Sequence, residues 1–169
     1  SSDVRLEVKA VSLNFYDVFA AMQIKPILTK SLGGDVAGIV TEVGSEVKDY
    51  QVGDEILGMA YGGLSDVVDV PESLVVKKPK ELNFAQAASI PAVWMTVYHS
   101  LNELAKLTPR DKILIHTATG GVGLAAIAYA KEVGAEIYAT AGSGHKRRYL
   151  RMQGIDHVYD SRNLDFVEQ

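Results

Sequence analysis

The stretch Ile113-Leu-Ile-His-Thr-Ala-Thr-Gly-Gly-Val-Gly123 contains Ala118-x-Gly120-x-x-Gly123, a spacing suited to holding a pyrophosphate. Gly120 lets backbone come close to the diphosphate, and Gly123 lets the helix that follows pack tightly against the preceding strand. Thr119, Gly120, Gly121, Val122 and Gly123 are therefore the expected phosphate-binding residues, with the anion at the positive end of that helix. A glycine-rich turn without a ligand would share the same glycines. Context favours binding, because the motif follows an apolar run, opens a helical pattern and leads into a second apolar run.

The next informative place lies about 20 residues further on, where an NAD-binding domain usually carries an acid for the ribose 2′-hydroxyl. Here the chain reads Ala139-Thr-Ala-Gly-Ser143, with Lys146 and Arg147 close behind and Ser161-Arg162 after the next apolar run. An acid would repel a 2′-phosphate, whereas a hydroxyl and cations accept one. Ser143, Lys146 and Arg162 are thus expected to bind that phosphate, which makes the cofactor NADPH. Arg147 and Arg148 read as a solvated helix face.

Other chemistries find little support. The chain has no cysteine, which removes disulfides, thiolate metal sites and a cysteine nucleophile. Its four histidines, His99, His116, His145 and His157, lack ligand spacing and read as packing or surface residues. No metal site is expected.

These residues must be placed by two kinds of element. In the first half, short β-type runs are separated by turn residues such as Gly33-Gly34, Gly53-Asp54 and Gly62-Gly63. Strands are expected over 4–10, 36–43, 55–59, 65–70 and 74–77, forming a small barrel or sandwich. Asn83 and Gln86 form a capping pair for a short helix to Ala88, and Pro91 can open a second helix with Trp94, Val97, Tyr98, Leu101 and Leu104 on one face. Then come a short buried strand over 112–116, an apolar helix over 121–133, a strand over 136–140, a polar helix over 145–152 and a strand over 157–159. That alternation starts a doubly wound parallel sheet. The expected division is a β-rich domain over 1–90 and a nucleotide-binding domain over 91–169.

A net charge of −4 gives no general attraction to nucleic acid or anionic membrane, and neither partner is expected. The N-terminus lacks the apolar core of a signal peptide, and no apolar run has the length of about 20 residues that spans a bilayer. A cytoplasmic location is the expectation. The missing initial Met points to excision from a longer polypeptide.

Further motifs narrow the reading. Leu32-Gly-Gly-Asp-Val-Ala-Gly-Ile-Val-Thr-Glu-Val-Gly44 and Val52-Gly-Asp-Glu-Ile56 resemble the GroES-like domain of medium-chain dehydrogenase/reductases. Ala88-Ser-Ile-Pro91, the Gly120 loop, Ala141-Gly-Ser143 with Lys146-Arg147, Asp160-Ser-Arg162 and Asp165-Phe166 extend the match. In this order they resemble the enoyl reductase domain of type I modular polyketide synthases and animal-type fatty acid synthases. The resemblance implies an α/β plus β fold, with a GroES-like domain followed by the first half of a Rossmann sheet. It also implies NADPH-dependent reduction of the α,β-double bond of an enoyl thioester, with hydride going to the β-carbon and a proton to the α-carbon. The partners it implies are an acyl carrier protein bearing the thioester, neighbouring synthase domains and a second copy in a homodimer.

The resemblance also bears on single residues. Zinc alcohol dehydrogenases of the superfamily carry a cysteine at the counterpart of Asn14 and a His-Glu pair near Gly34-Asp35, which this chain lacks. Asn14, within Leu13-Asn-Phe-Tyr-Asp17, faces the cleft in the resembling enzymes, where its amide can bond cofactor or substrate; turn chemistry explains it equally. Tyr16 reads as structural or rim. Many relatives place a tyrosine before a proline as proton source, and here Lys25 precedes Pro26. Lys25 is either that proton donor or a loop lysine. Relatives' other proposed donors, a lysine and an aspartate, fall beyond the stretch covered, and this fragment alone is expected to be inactive. Two other readings stand beside the reductase: a zinc-independent quinone oxidoreductase, and a non-catalytic NADPH-binding relative.

Overall fold

In the computed structural model, the structure describes residues 1–24, 31–164 and 167. The chain divides into two compact units, Ser1–Ala92 and Val93–Gln169. No helix among the described residues is long and apolar enough to cross a membrane.

The first unit is built on one antiparallel sheet. Its strands are β1 (Asp3–Ser12), β2 (Asp35–Val43), β3 (Glu55–Met59), β4 (Val67–Pro71) and β5 (Val75–Lys77), in the order β4-β1-β2-β3-β5. Alternation in β1 buries Val4 and Leu6 and sends Glu7 and Lys9 to solvent. Register carries the pattern across the sheet, with Leu6 opposite both Val40 and Val68. Val36, Val40, Ile56, Val70 and Val75 complete the core on that face.

The opposite face of β2 and β3 is also covered. Helix α2 (Phe84–Ala88) lays Ala87 and Ala88 on Ala37 and Leu57. That explains why β2 reads as a continuous apolar run rather than an alternating one. Its entry is fixed by a reciprocal cap: Gln86 N–H donates to Asn83 Oδ1 at 2.9 Å and Asn83 N–H donates to Gln86 Oε1 at 3.0 Å.

Sequence reasoning missed helix α1 (Phe15–Ala21), in a segment read as loop, and the short 3-10 turn Glu72–Leu74. Two expected strands also shift by a residue or two, to Val67–Pro71 and Val75–Lys77.

In the second unit, β6 (Lys112–Ile115), β7 (Glu136–Ala141) and β8 (His157–Asp160) pair in parallel in the order β6-β7-β8. Helix α4 (Gly121–Val133) joins β6 to β7, and α5 (Gly144–Met152) joins β7 to β8. Small residues bring α4 close to the sheet, with Ala125, Ala126 and Ala130 buried beside Ile127. Gly134, at φ 86°, ends that helix in a left-handed cap. Ile115, Ala139, Leu150 and Val158 meet in the same core.

Two expectations fail here. Strand β6 is not buried throughout: Ile115 is buried, but Leu114, on the alternate face, is 47% exposed. The helix α3 opened by Pro91 runs α-helically only over Pro91–Val97 and continues as π-helical turns over Tyr98–Leu104. The wider turn breaks the 3.6-residue period, so Leu104 is exposed rather than sharing the face of buried Val97; Tyr98 is exposed as well.

Candidate functional site

Each unit carries its own polar constellation. In the second unit, β6 ends at Ile115 and the chain turns at once. Thr117 takes φ 52°, a region that β-branched residues seldom enter. Ala118 N–H donates to Thr140 O at 3.0 Å, tying the turn to β7, and Gly120 N–H donates back to Thr117 O at 2.8 Å. Gly120 is then the N-cap of α4. The leading N–H groups of such a helix have no acceptor one turn back, so they point outward with their dipoles aligned.

Gly123 permits this geometry. A β-carbon there would stand 2.7 Å from Ala118 Cα and 2.7 Å from Thr117 O, both backbone atoms that cannot swing aside. The first turn of α4 thus rests directly on the loop that follows β6.

At the C-terminal ends of β7 and β8 lies an open cavity of about 480 Å³. Thr119, Ser143, Lys146 and Arg162, named from sequence, line it together. Gly120, Gly121, Val122 and Gly123 do not line this cavity; they shape the adjoining turn. Sequence reasoning missed His116 as a lining residue, and its ring Nδ1 lies 3.0 Å from Thr140 Oγ1. Its place directly after β6 was the available signal. Ser143 is the N-cap of α5, and Arg162 places its Nε 2.8 Å from where a Gly142 β-carbon would be. Arg147 departs from the solvated reading. Its guanidinium is drawn inward to Asp160 at 2.9 Å and to Ala141 O at 3.0 Å.

In the first unit, Asn14 is the N-cap residue of α1, but its amide serves a more distant partner. Asn14 Nδ2 donates to Asp35 Oδ2 at 3.0 Å, and Asp35 Oδ1 accepts from Ala92 N–H at 3.2 Å. Asp17 accepts from the backbone N–H of Asn14 at 2.6 Å and of Gly33 at 2.8 Å, closing the loop before β2 onto α1. Both acids are buried. Burial pushes the Asp35 carboxyl above its ordinary range; the bonds from Asn14 and Ala92 oppose that shift and nearby Asp17 adds to it. Asn14, Tyr16 and Asp35 border a mainly apolar cavity of about 410 Å³, with Met59, Tyr61 and Leu74 among its walls. Lys25 lies outside the described residues.

Residues 1–80 match the family described as the alcohol dehydrogenase GroES-like domain, and residues 121–169 match the zinc-binding dehydrogenase family. The name of the second raises zinc, and the residues here do not fit it. Cysteine is absent, and an amide and two carboxylates already engaged by N–H donors make a poor ligand set. Among the described residues no three His, Asp or Glu side chains gather as a metal site.

The chain is 43% identical to the phenolphthiocerol synthesis polyketide synthase type I Pks15/1 of Mycobacterium marinum, over 100% of this chain and 8% of that protein. Among solved structures it matches CurK enoyl reductase at TM-score 0.91 and 39% identity, covering 99% of this chain and 54% of that one. Escherichia coli quinone oxidoreductase complexed with NADPH matches at TM-score 0.90 and 33% identity, covering 99% and 52%. The chain spans a small part of the curated relative and about half of each solved structure. With its GroES-like sheet followed by a Rossmann half, it belongs to the medium-chain dehydrogenase/reductase superfamily, with the enoyl reductase domains of type I polyketide synthases.

Proposed function

We propose that this chain is part of an NADPH-dependent enoyl reductase acting on an enoyl thioester carried by an acyl carrier protein within a polyketide synthase. The observation that carries the reading is the cavity where Ser143, Lys146 and Arg162 converge, with no acid among its lining residues. When bound, NADPH supplies the hydride for the β-carbon of the enoyl group.

The chain's own residues do the holding. The amides at the start of α4 receive the pyrophosphate, and Gly123 keeps the helix close enough for them to do so. Lys146 and Arg162 neutralise the 2′-phosphate while the Ser143 hydroxyl donates to it. In the 1–90 domain, the apolar walls at Met59 and Leu74 exclude water and hold the acyl chain. Asp35 orients the Asn14 amide toward that chamber. Lys25 delivers the α-carbon proton or stabilises the enolate charge, a role that rests on sequence resemblance alone.

The similarity to a quinone oxidoreductase favours one other reading, reduction of a quinone by the same cofactor. The two separate in one assay. The full protein is given NADPH with either a crotonyl thioester or a soluble quinone. Conversion of the thioester to its saturated product supports the reductase. Quinone turnover without thioester turnover supports the alternative, and neither reaction supports a non-catalytic NADPH binder.

A further inference from the structure

Resting on the reading of the second-unit cavity as the 2′-phosphate site, we infer that Arg147 and Asp160 form a clamp that sets the position of Arg162. Neither touches the phosphate; they act as positioning residues for cofactor selectivity.

The geometry runs from helix to loop. Arg147 lies in the second turn of α5, and its Nη1 bonds two partners, Ala141 O at the end of β7 (3.0 Å) and Asp160 Oδ2 at the end of β8 (2.9 Å). The other Asp160 oxygen, Oδ1, accepts the backbone N–H of Arg162 at 2.9 Å. Ala141 O also receives Ser161 N–H at 3.4 Å. One guanidinium therefore joins the ends of two neighbouring strands, and its carboxylate partner grips the residue whose side chain lies over Gly142. The pair is shielded, with Arg147 22% and Asp160 33% exposed at the side chain, so it holds its geometry better than a free surface pair. A binding side chain is only as well placed as the groups that support it.

A clamp and a plain charge effect predict opposite signs at Asp160. By charge alone, Asp160→Asn removes a carboxylate near the phosphate and tightens NADPH binding. In the clamp, the asparagine amide either turns its NH2 against Arg147 Nη1 or gives up the Arg162 N–H, so binding weakens.

The test measures dissociation constants of NADPH and NADH for the full protein and for Arg147→Ala, Asp160→Asn, the double variant, and Lys146→Ala and Arg162→Ala as reference variants. The expected result is NADPH weakened about five- to tenfold in each clamp variant, NADH changed less than about twofold, and a double variant no worse than the weaker single. Tighter NADPH binding by Asp160→Asn overturns the clamp. So do fully additive losses, unchanged NADPH affinity in Arg147→Ala, or equal loss of both cofactors. If Lys146→Ala and Arg162→Ala also leave the NADPH-to-NADH ratio unchanged, the phosphate-site reading itself has failed. If only those two shift it, the clamp alone is wrong.

Discussion

Gly123→Ala puts the least room to adjust against the most consequential contact in the second unit. A β-carbon there meets Ala118 Cα and Thr117 O at 2.7 Å and Ala118 C at 2.8 Å. Ordinary carbon contacts begin near about 3.5 Å, so α4 or the loop must move by roughly 0.8 Å. Forcing such a shift on packed backbone costs about 1–3 kcal/mol, and the upper end applies because all three of these neighbours are main-chain atoms. Alanine's better helix propensity returns up to about 1 kcal/mol. The net destabilisation is thus about 2 kcal/mol, or roughly 30-fold in the unfolding equilibrium. Gly144→Ala is the control, because a β-carbon there meets nothing within 4 Å and should change stability by less than about 0.5 kcal/mol. Trp94 is the chain's only tryptophan and lies in the second unit, so its fluorescence follows that unit through a denaturant titration. The same displacement moves the helix amides away from the pyrophosphate, and nucleotide affinity should fall with stability. If Gly123→Ala unfolds at the same denaturant concentration as Gly144→Ala, the close-packing argument is refuted.

Lys146→Ala removes one charge-assisted phosphate contact of about 1.5–3 kcal/mol and should weaken NADPH tenfold or more while leaving NADH nearly unchanged; equal weakening of both would contradict the assignment. Gly142→Ala should shift the same selectivity without loss of thermal stability, because the added carbon meets only the movable end of Arg162, 2.8 Å away at Nε; unchanged NADPH binding would count against that placement of Arg162. Asp35 has a folded pKa raised above its ordinary 3.8, so its contribution to stability is full below that value and is lost as pH rises through the raised one. The stability difference between parent and Asp35→Asn should therefore move in the variant's favour as pH rises through that window, and a pH-independent difference would remove the burial argument. Lys25→Ala in the full protein should lower kcat by about 10- to 100-fold with NADPH affinity constant, and an unchanged kcat would assign the proton to another donor.

The parts readable from sequence are those fixed by near neighbours. The Asn83–Gln86 cap spans three residues, and Gly120 to Gly123 span one helical turn; each leaves a local trace in residue type. Helix α1 leaves a similar trace, Asn14 and Asp17 three residues apart with Asn14 N–H donating to Asp17 Oδ2, but Asn14 reads equally as turn chemistry. The helix's first turn is tied down by Asp17 reaching Gly33, and the Asn14 amide is committed to Asp35, 21 residues away. Lys146 and Arg147 are neighbours in sequence and both cationic, yet one lines the cavity and the other bridges two strand ends. The partners that separate them, Ala141 O and Asp160, become neighbours only when β7 and β8 pair. The π-helical turns after Val97 likewise carry no local signature in Tyr98-His-Ser-Leu-Asn-Glu-Leu104, so a regular helical period placed Leu104 on the wrong side.

Deuterium carried on the cofactor shows where the hydride goes. The full protein is incubated with NADPH deuterated at the transferring position of the nicotinamide and a crotonyl thioester, and the product is examined by NMR. An enoyl reductase of this kind yields a saturated thioester with one deuterium at the β-carbon, none from the cofactor at the α-carbon, and a solvent proton at the α-carbon. A saturated product with cofactor deuterium at the α-carbon, or NADPH oxidation with no deuterium in any thioester product, would contradict the proposed function.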